Sequence, residues 1–187
     1  MADLTSTTQY GRRAAVFGLA ATGIYLVMIN ITLEHLQLLS GLRPFDMRPG
    51  GYSSEKAYAL LDALGGDGRQ YYLTRQIPLD LIYPAFMALT LVSFLKWLAS
   101  QGVNRVLTQI GAWLSVGAAL ADYLENAGIC TLILNWPAPQ AGLVYAASAA
   151  SIAKAVLTTL AVLTTTIGLT IWLYRRIRDW LKRSLHG

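Results

Sequence analysis

At 187 residues the chain is one domain's worth of protein, yet 55% of it is apolar and only 13% is charged, about half the charged share of a soluble globule. A mean hydropathy of +0.44 excludes an ordinary water-soluble fold and points to lipid as the solvent. The single Cys130 excludes an internal disulfide or a paired-cysteine relay, and His35 with the penultimate His186 cannot supply both axial ligands of a membrane-bridging haem. The formal charge of +5 is accompanied by no recognition motif or stacking platform, so neither nucleic acid nor a metal or other cofactor is expected.

Four apolar segments are expected to form membrane helices, at 14–39, 68–98, 106–136 and 142–174, with a basic tail at 175–187. The first is too long for a signal-peptide core and no small-residue cleavage pattern follows it, so it is expected to stay in the mature protein. In the long first loop, Ala57, Leu60, Leu61 and Leu64 recur at i, i+3, i+4 and i+7. That spacing predicts a short amphipathic helix on the outer membrane surface, capped by Ser53 or Ser54, stopped by Gly65 and acting as a lid. Asp67 and Gln70 form a variant capping box that starts the second membrane helix near Gly68.

Nine of the fifteen basic residues fall at the amino terminus, the second loop and the tail, whereas the first loop offsets its five bases with Asp46, Glu55, Asp62 and Asp67. The positive-inside rule then places both termini in the cytoplasm. The fold class expected is all-α: a single-domain, polytopic four-transmembrane-helix bundle with a short amphipathic helix in the first extracytoplasmic loop, in a bacterial inner membrane.

Ionisable groups inside membrane helices cost ~2.5–3.5 kcal/mol each on insertion scales, so the five present, Glu34, Asp80, Asp122, Glu125 and Lys154, are the candidate functional residues. At 1.5 Å per residue, Glu125, Lys154 and Asp122 come out at roughly 16, 18 and 21 Å from the outer end, with Glu34 and Asp80 shallower. Asp122 shares a helical face with Glu125 at i+3 and Asn126 at i+4. Carboxylates this close in low dielectric require a cationic partner or a bound proton, and Lys154 is the base at matching depth. An ion pair that merely fixes packing weighs equally with a chemical role. Asp122, Glu125 and Lys154 are therefore the candidate catalytic group, with Asp80, Tyr83, Asn126 and Glu34 as candidate ligand contacts. Pro84 cannot donate to the carbonyl of Asp80, so a kink is expected there, either as a ligand or cation site made by the free carbonyl and the carboxylate or, ahead of it, as a bend whose freed carbonyl is met by Tyr83 or a water. Glu34 and His35 project about 100° apart on a helix and cannot chelate one ion. The small residues from Ala146 to Ala153 are expected to pack helix on helix.

Gly51-Tyr52-Ser53 with Glu55, Leu64-Gly65, Gly68-Arg69, Tyr72, Asp80, Tyr83-Pro84 and Asp122-Tyr123-Leu124-Glu125-Asn126 together resemble a family of small bacterial four-helix integral membrane proteins. The resemblance covers nearly the whole chain and implies a family without a particular activity. A looser likeness is to the emopamil-binding and sigma-2-receptor-like superfamily, whose helices enclose intramembrane acids that protonate or bind sterol-like molecules; it carries no residue across. Three functions follow. One is binding or acid–base processing of a lipid, sterol-like or isoprenoid molecule in an acidic cavity, and the second is an ion- or proton-coupled transporter or channel subunit. The third is a structural or assembly subunit. The partners expected are membrane lipids, an apolar small-molecule ligand, and either further copies of the chain or another membrane subunit.

Overall fold

The computed structural model describes residues 4–138 and 140–186. Among these residues the chain is helical without strands, in six helices: α1 (Leu4–Val27), α2 (Leu33–Ser40), α3 (Ser54–Tyr71), α4 (Ile77–Ser100), α5 (Arg105–Leu134) and α6 (Ala141–His186). Single π-helical turns, Met28–Thr32 and Tyr72–Gln76, join α1 to α2 and α3 to α4. Three stretches are long and apolar enough to cross a membrane: Thr7–Ser40, Gly65–Ser100 and Ala141–Ser184. The 30-residue α5 is interrupted by Asp122, Glu125 and Asn126 and is not one of the three.

The helices stand in a row in chain order, α1 against α4, α4 against α5 and α5 against α6, with no extensive packing of α1 on α6. Small residues set the closest approach. A Cβ on Gly128 would lie 2.6 Å from that of Ala147, so only glycine lets α5 meet the small-residue face of α6, where Ala147, Ser148 and Ser151 are buried. Large apolar side chains such as Leu19, Trp113, Leu124 and Tyr145 are at least two-thirds exposed, as lipid-facing groups are.

The apolar face of α3 is spent on the protein itself. Ala57, Leu60, Leu61 and Leu64 are buried in one cluster with Leu36, Phe45, Ile129, Leu132 and Val144, each leucine contributing roughly 1.5–3 kcal/mol by leaving solvent. Ser53 caps the helix by accepting from the Lys56 amide at 3.3 Å. At Gly65 the backbone leaves helical geometry (φ 61°, ψ −172°) and then resumes it. The Leu61 carbonyl at this break accepts from Arg69 Nη1 at 2.5 Å, while the Arg69 guanidinium lies 5.2 Å from the Trp136 ring centre. α6 continues through the basic tail to His186, because no glycine or proline stands between Gly168 and His186 and the tail is rich in helix-forming Arg, Leu and Lys.

The loop 41–53 folds back over the helices. Arg48 donates from Nε (2.9 Å) and Nη2 (2.6 Å) to the Arg43 carbonyl, and the Tyr52 amide donates to Ser148 Oγ on α6 at 2.8 Å. Gly51 makes that approach at φ 75°, where a Cβ would stand 2.5 Å from Ser148 Oγ. Gly51→Ala is expected to cost roughly 1–3 kcal/mol through strain and overlap. Thermal unfolding in nanodiscs with amide exchange at Tyr52 tests this; an unchanged melting temperature and a still-protected amide would refute the contact.

Candidate functional site

The halves of the helices nearest the folded-back loop, together with that loop, line a cavity of about 360 Å³. Its walls are Tyr25 from α1, Met28 from the π turn that follows it, Leu33 from α2, Asp80 and Tyr83 from α4, Asp122 and Glu125 from α5, and Ser151, Lys154 and Thr158 from α6. Its roof is Asp46, Arg48 and Pro49. The cavity therefore lies on the side of the row where α1 faces α6 across an unpacked seam, and Tyr25 and Thr159 at its edge are exposed.

Lys154 organises the floor. Its ammonium is 3.3 Å from Asp122 Oδ1 and closer still to Glu125 Oε2, and Ser151 Oγ donates to Glu125 Oε1 at 2.5 Å. The three groups that matched in depth are thus brought together, with Glu125 the nearer partner. Both acids are nearly inaccessible, at 5% exposure for Asp122 and 1% for Glu125, so the pair is shielded from solvent screening.

Pro84 lies inside α4, and the Asp80 carbonyl it leaves without an amide finds a partner other than those expected. Pro84 has no N–H for the Asp80 carbonyl, and Asn126 Nδ2 supplies the donor at 3.0 Å while also lying 3.3 Å from Asp122 Oδ1. Neither Tyr83 nor a water is needed: Tyr83 instead sets its ring 5.8 Å from that of Tyr25. The Asn126 side chain is committed to this carbonyl and is not part of the cavity wall. Asp80 is 2% exposed and its Oδ2 has no hydrogen-bond partner among the described residues.

Glu34 departs from the expectation. It is exposed on α2 and lies outside the cavity wall, where Leu33 stands in its place. The π turn at Met28–Thr32 inserts an extra residue ahead of it, which turns everything after it by about 100° relative to a continuous α-helix. His35 packs on Tyr71 at 4.3 Å between ring centres. The lid also differs: the roof comes from the segment after Pro44, with α3 behind it.

Several residues of this site carried no signal of their own. Asp46 sits on a 3₁₀ turn, Phe45–Met47, and its carboxylate accepts from Tyr72 Oη and from Gln76 Nε2 at 3.4 Å. Tyr72 Oη accepts in turn from the Phe45 amide at 3.0 Å, and Thr32 Oγ1 donates to Gln76 Oε1 at 2.5 Å. The two π turns are thereby held face to face by a buried polar chain that ends at Asp46, opposite Asp80. Tyr52, above the floor, is held above its usual phenol range by burial and by the negative Glu125, so it remains a neutral hydroxyl. The flanking Pro44 and Pro49 were the available hint that this loop is rigid. Ser151 was hidden in a stretch of small residues.

Among the described residues no cluster of His, Cys, Asp and Glu is arranged to hold a metal ion. Neither a protein-family model, a curated protein nor a solved structure matches the chain.

Proposed function

We propose that the protein is a four-span membrane protein with both termini cytoplasmic, and that its cavity takes the polar head of an apolar molecule entering sideways from the bilayer. In this reading α5 is the fourth span, its lipid-facing side made by Trp113 and Leu124. The carrying observation is a cavity beside the α1–α6 seam in which a buried Asp80 oxygen lacks a donor. Such an atom is satisfied by a ligand group that donates a hydrogen bond. Four carboxylates facing two bases in the wall repel phosphate, so the favoured class is a neutral, hydroxyl-bearing lipid, sterol-like or isoprenoid molecule. Acid–base chemistry on it falls to Asp122, Glu125 and Lys154. Against a cation path, the Lys154 ammonium already occupies the place between the two acids where a passing cation would bind.

Native mass spectrometry of protein extracted directly into nanodiscs tests the reading. A neutral apolar adduct is expected in the parent protein, strongly reduced in Asp80→Leu and retained in Glu34→Gln. Absence of any adduct, or its full retention in Asp80→Leu, would overturn the proposal, and proton or sodium flux in liposomes would replace it with transport.

A further inference from the structure

At the opposite end of the molecule the turn between α4 and α5 meets the extended α6 in a cleft of about 400 Å³. Its wall holds Trp172, Arg175, Arg176, Asp179, Trp180 and Arg183. The aromatic part is fixed: Phe94 stacks on Trp97 with centres 5.4 Å apart, and Trp97 meets the Trp172 ring edge-on at 5.0 Å. The cations are placed on it. The Arg176 guanidinium lies 5.4 Å from the Trp172 ring centre, and Arg175 Nη1 donates to the Gly102 carbonyl at 2.9 Å. Asp179 is drawn to Arg178, 3.3 Å away, a residue outside the cleft wall. Among the described residues no carboxylate pairs with Arg175, Arg176 or Arg183.

We propose that this cleft binds an anionic glycerophospholipid whose headgroup carries two phosphodiesters, one at Arg175 and Arg176 and the other at Arg183. Tryptophans mark the level of the headgroups at a membrane interface, and guanidiniums beside them match phosphate oxygens with paired donors. The cleft's three arginines and one aspartate leave a net positive charge that two phosphodiesters balance. Arg183 lies about 10 Å along the helix from Arg176, a spacing that one phosphate does not bridge. The site is independent of the acidic cavity and of the molecule proposed to enter it.

The test is native mass spectrometry and thermal unfolding of the full chain in phosphatidylcholine nanodiscs doped with diphosphatidylglycerol, or with phosphatidylglycerol at matched total charge. Diphosphatidylglycerol is expected to be retained and stabilising in preference to phosphatidylglycerol. Arg176→Gln with Arg183→Gln should weaken its retention about thirtyfold, leaving in place Arg175, which also ties down the turn. Arg12→Gln with Arg13→Gln removes the same charge at exposed positions outside the cleft wall and should leave retention unchanged. Equal retention of the two lipids, or equal loss in both double variants, would reduce the effect to diffuse attraction and overturn the proposal. Displacement of the lipid by millimolar inorganic phosphate would instead assign the cleft to a soluble anion and overturn its lipid source.

Discussion

Lys154→Met is expected to destabilise the protein by about 3–5 kcal/mol, the penalty for removing one partner of a buried ion pair. The ammonium stands between Asp122 and Glu125, so its loss leaves two neighbouring carboxylates without compensation. A second substitution that removes an acid should restore part of the loss, and the geometry ranks the two rescues. Glu125 is the closer and more deeply buried partner, so Lys154→Met with Glu125→Gln should recover more than Lys154→Met with Asp122→Asn. Thermal unfolding in bilayer nanodiscs measures this, since detergent admits water and mutes both effects. Strict additivity of single and double variants would show that the groups are energetically independent.

The second large effect concerns the joint between α4 and α5. Asn126→Leu conserves volume but strips the Asp80 carbonyl of its donor, and an orphaned buried carbonyl in lipid is expected to cost about 2–4 kcal/mol. Pro84→Ala alone has a mixed outcome, because it restores an amide to a carbonyl that is already served. Combined with Asn126→Leu it should be rescuing, because residue 84 then donates to Asp80 within the helix. A cycle in which Pro84→Ala brings no recovery to Asn126→Leu would refute the account of why an asparagine faces a proline-broken turn.

These two joints also show what was legible before any coordinates. Asp122, Glu125 and Lys154 stood out because intramembrane charge is rare and because depth follows directly from residue counting. Depth is only one of two coordinates. Azimuth depends on uninterrupted helical twist, and the π turn at Met28–Thr32 bears no compositional mark, so Glu34 was placed at a suitable depth on an unsuitable face. The α3 periodicity named the residues that would be buried but not what would bury them, since protein and lipid present the same apolarity to a leucine. Asp46 and Arg48 were invisible for the opposite reason: charges in a loop are ordinary until the loop is seen folded over Asp80. The partner of the Asp80 carbonyl was unreadable because Asn126 reaches it across 46 positions of chain.

The row of helices follows the order in which the chain is synthesised, so each helix meets its permanent neighbour as soon as that neighbour emerges. α5 is the exception in timing. It carries both acids of the floor, while the lysine that neutralises them lies on the helix made last. On the proposed four-span reading, a nascent chain that ends before Lys154 presents an unneutralised segment less apolar than the three other spans, and α5 is expected to enter lipid stably only when α6 accompanies it. The expected consequence for biogenesis is insertion of the final hairpin as a unit, so that a chain arrested within α6 leaves its acidic helix outside the bilayer.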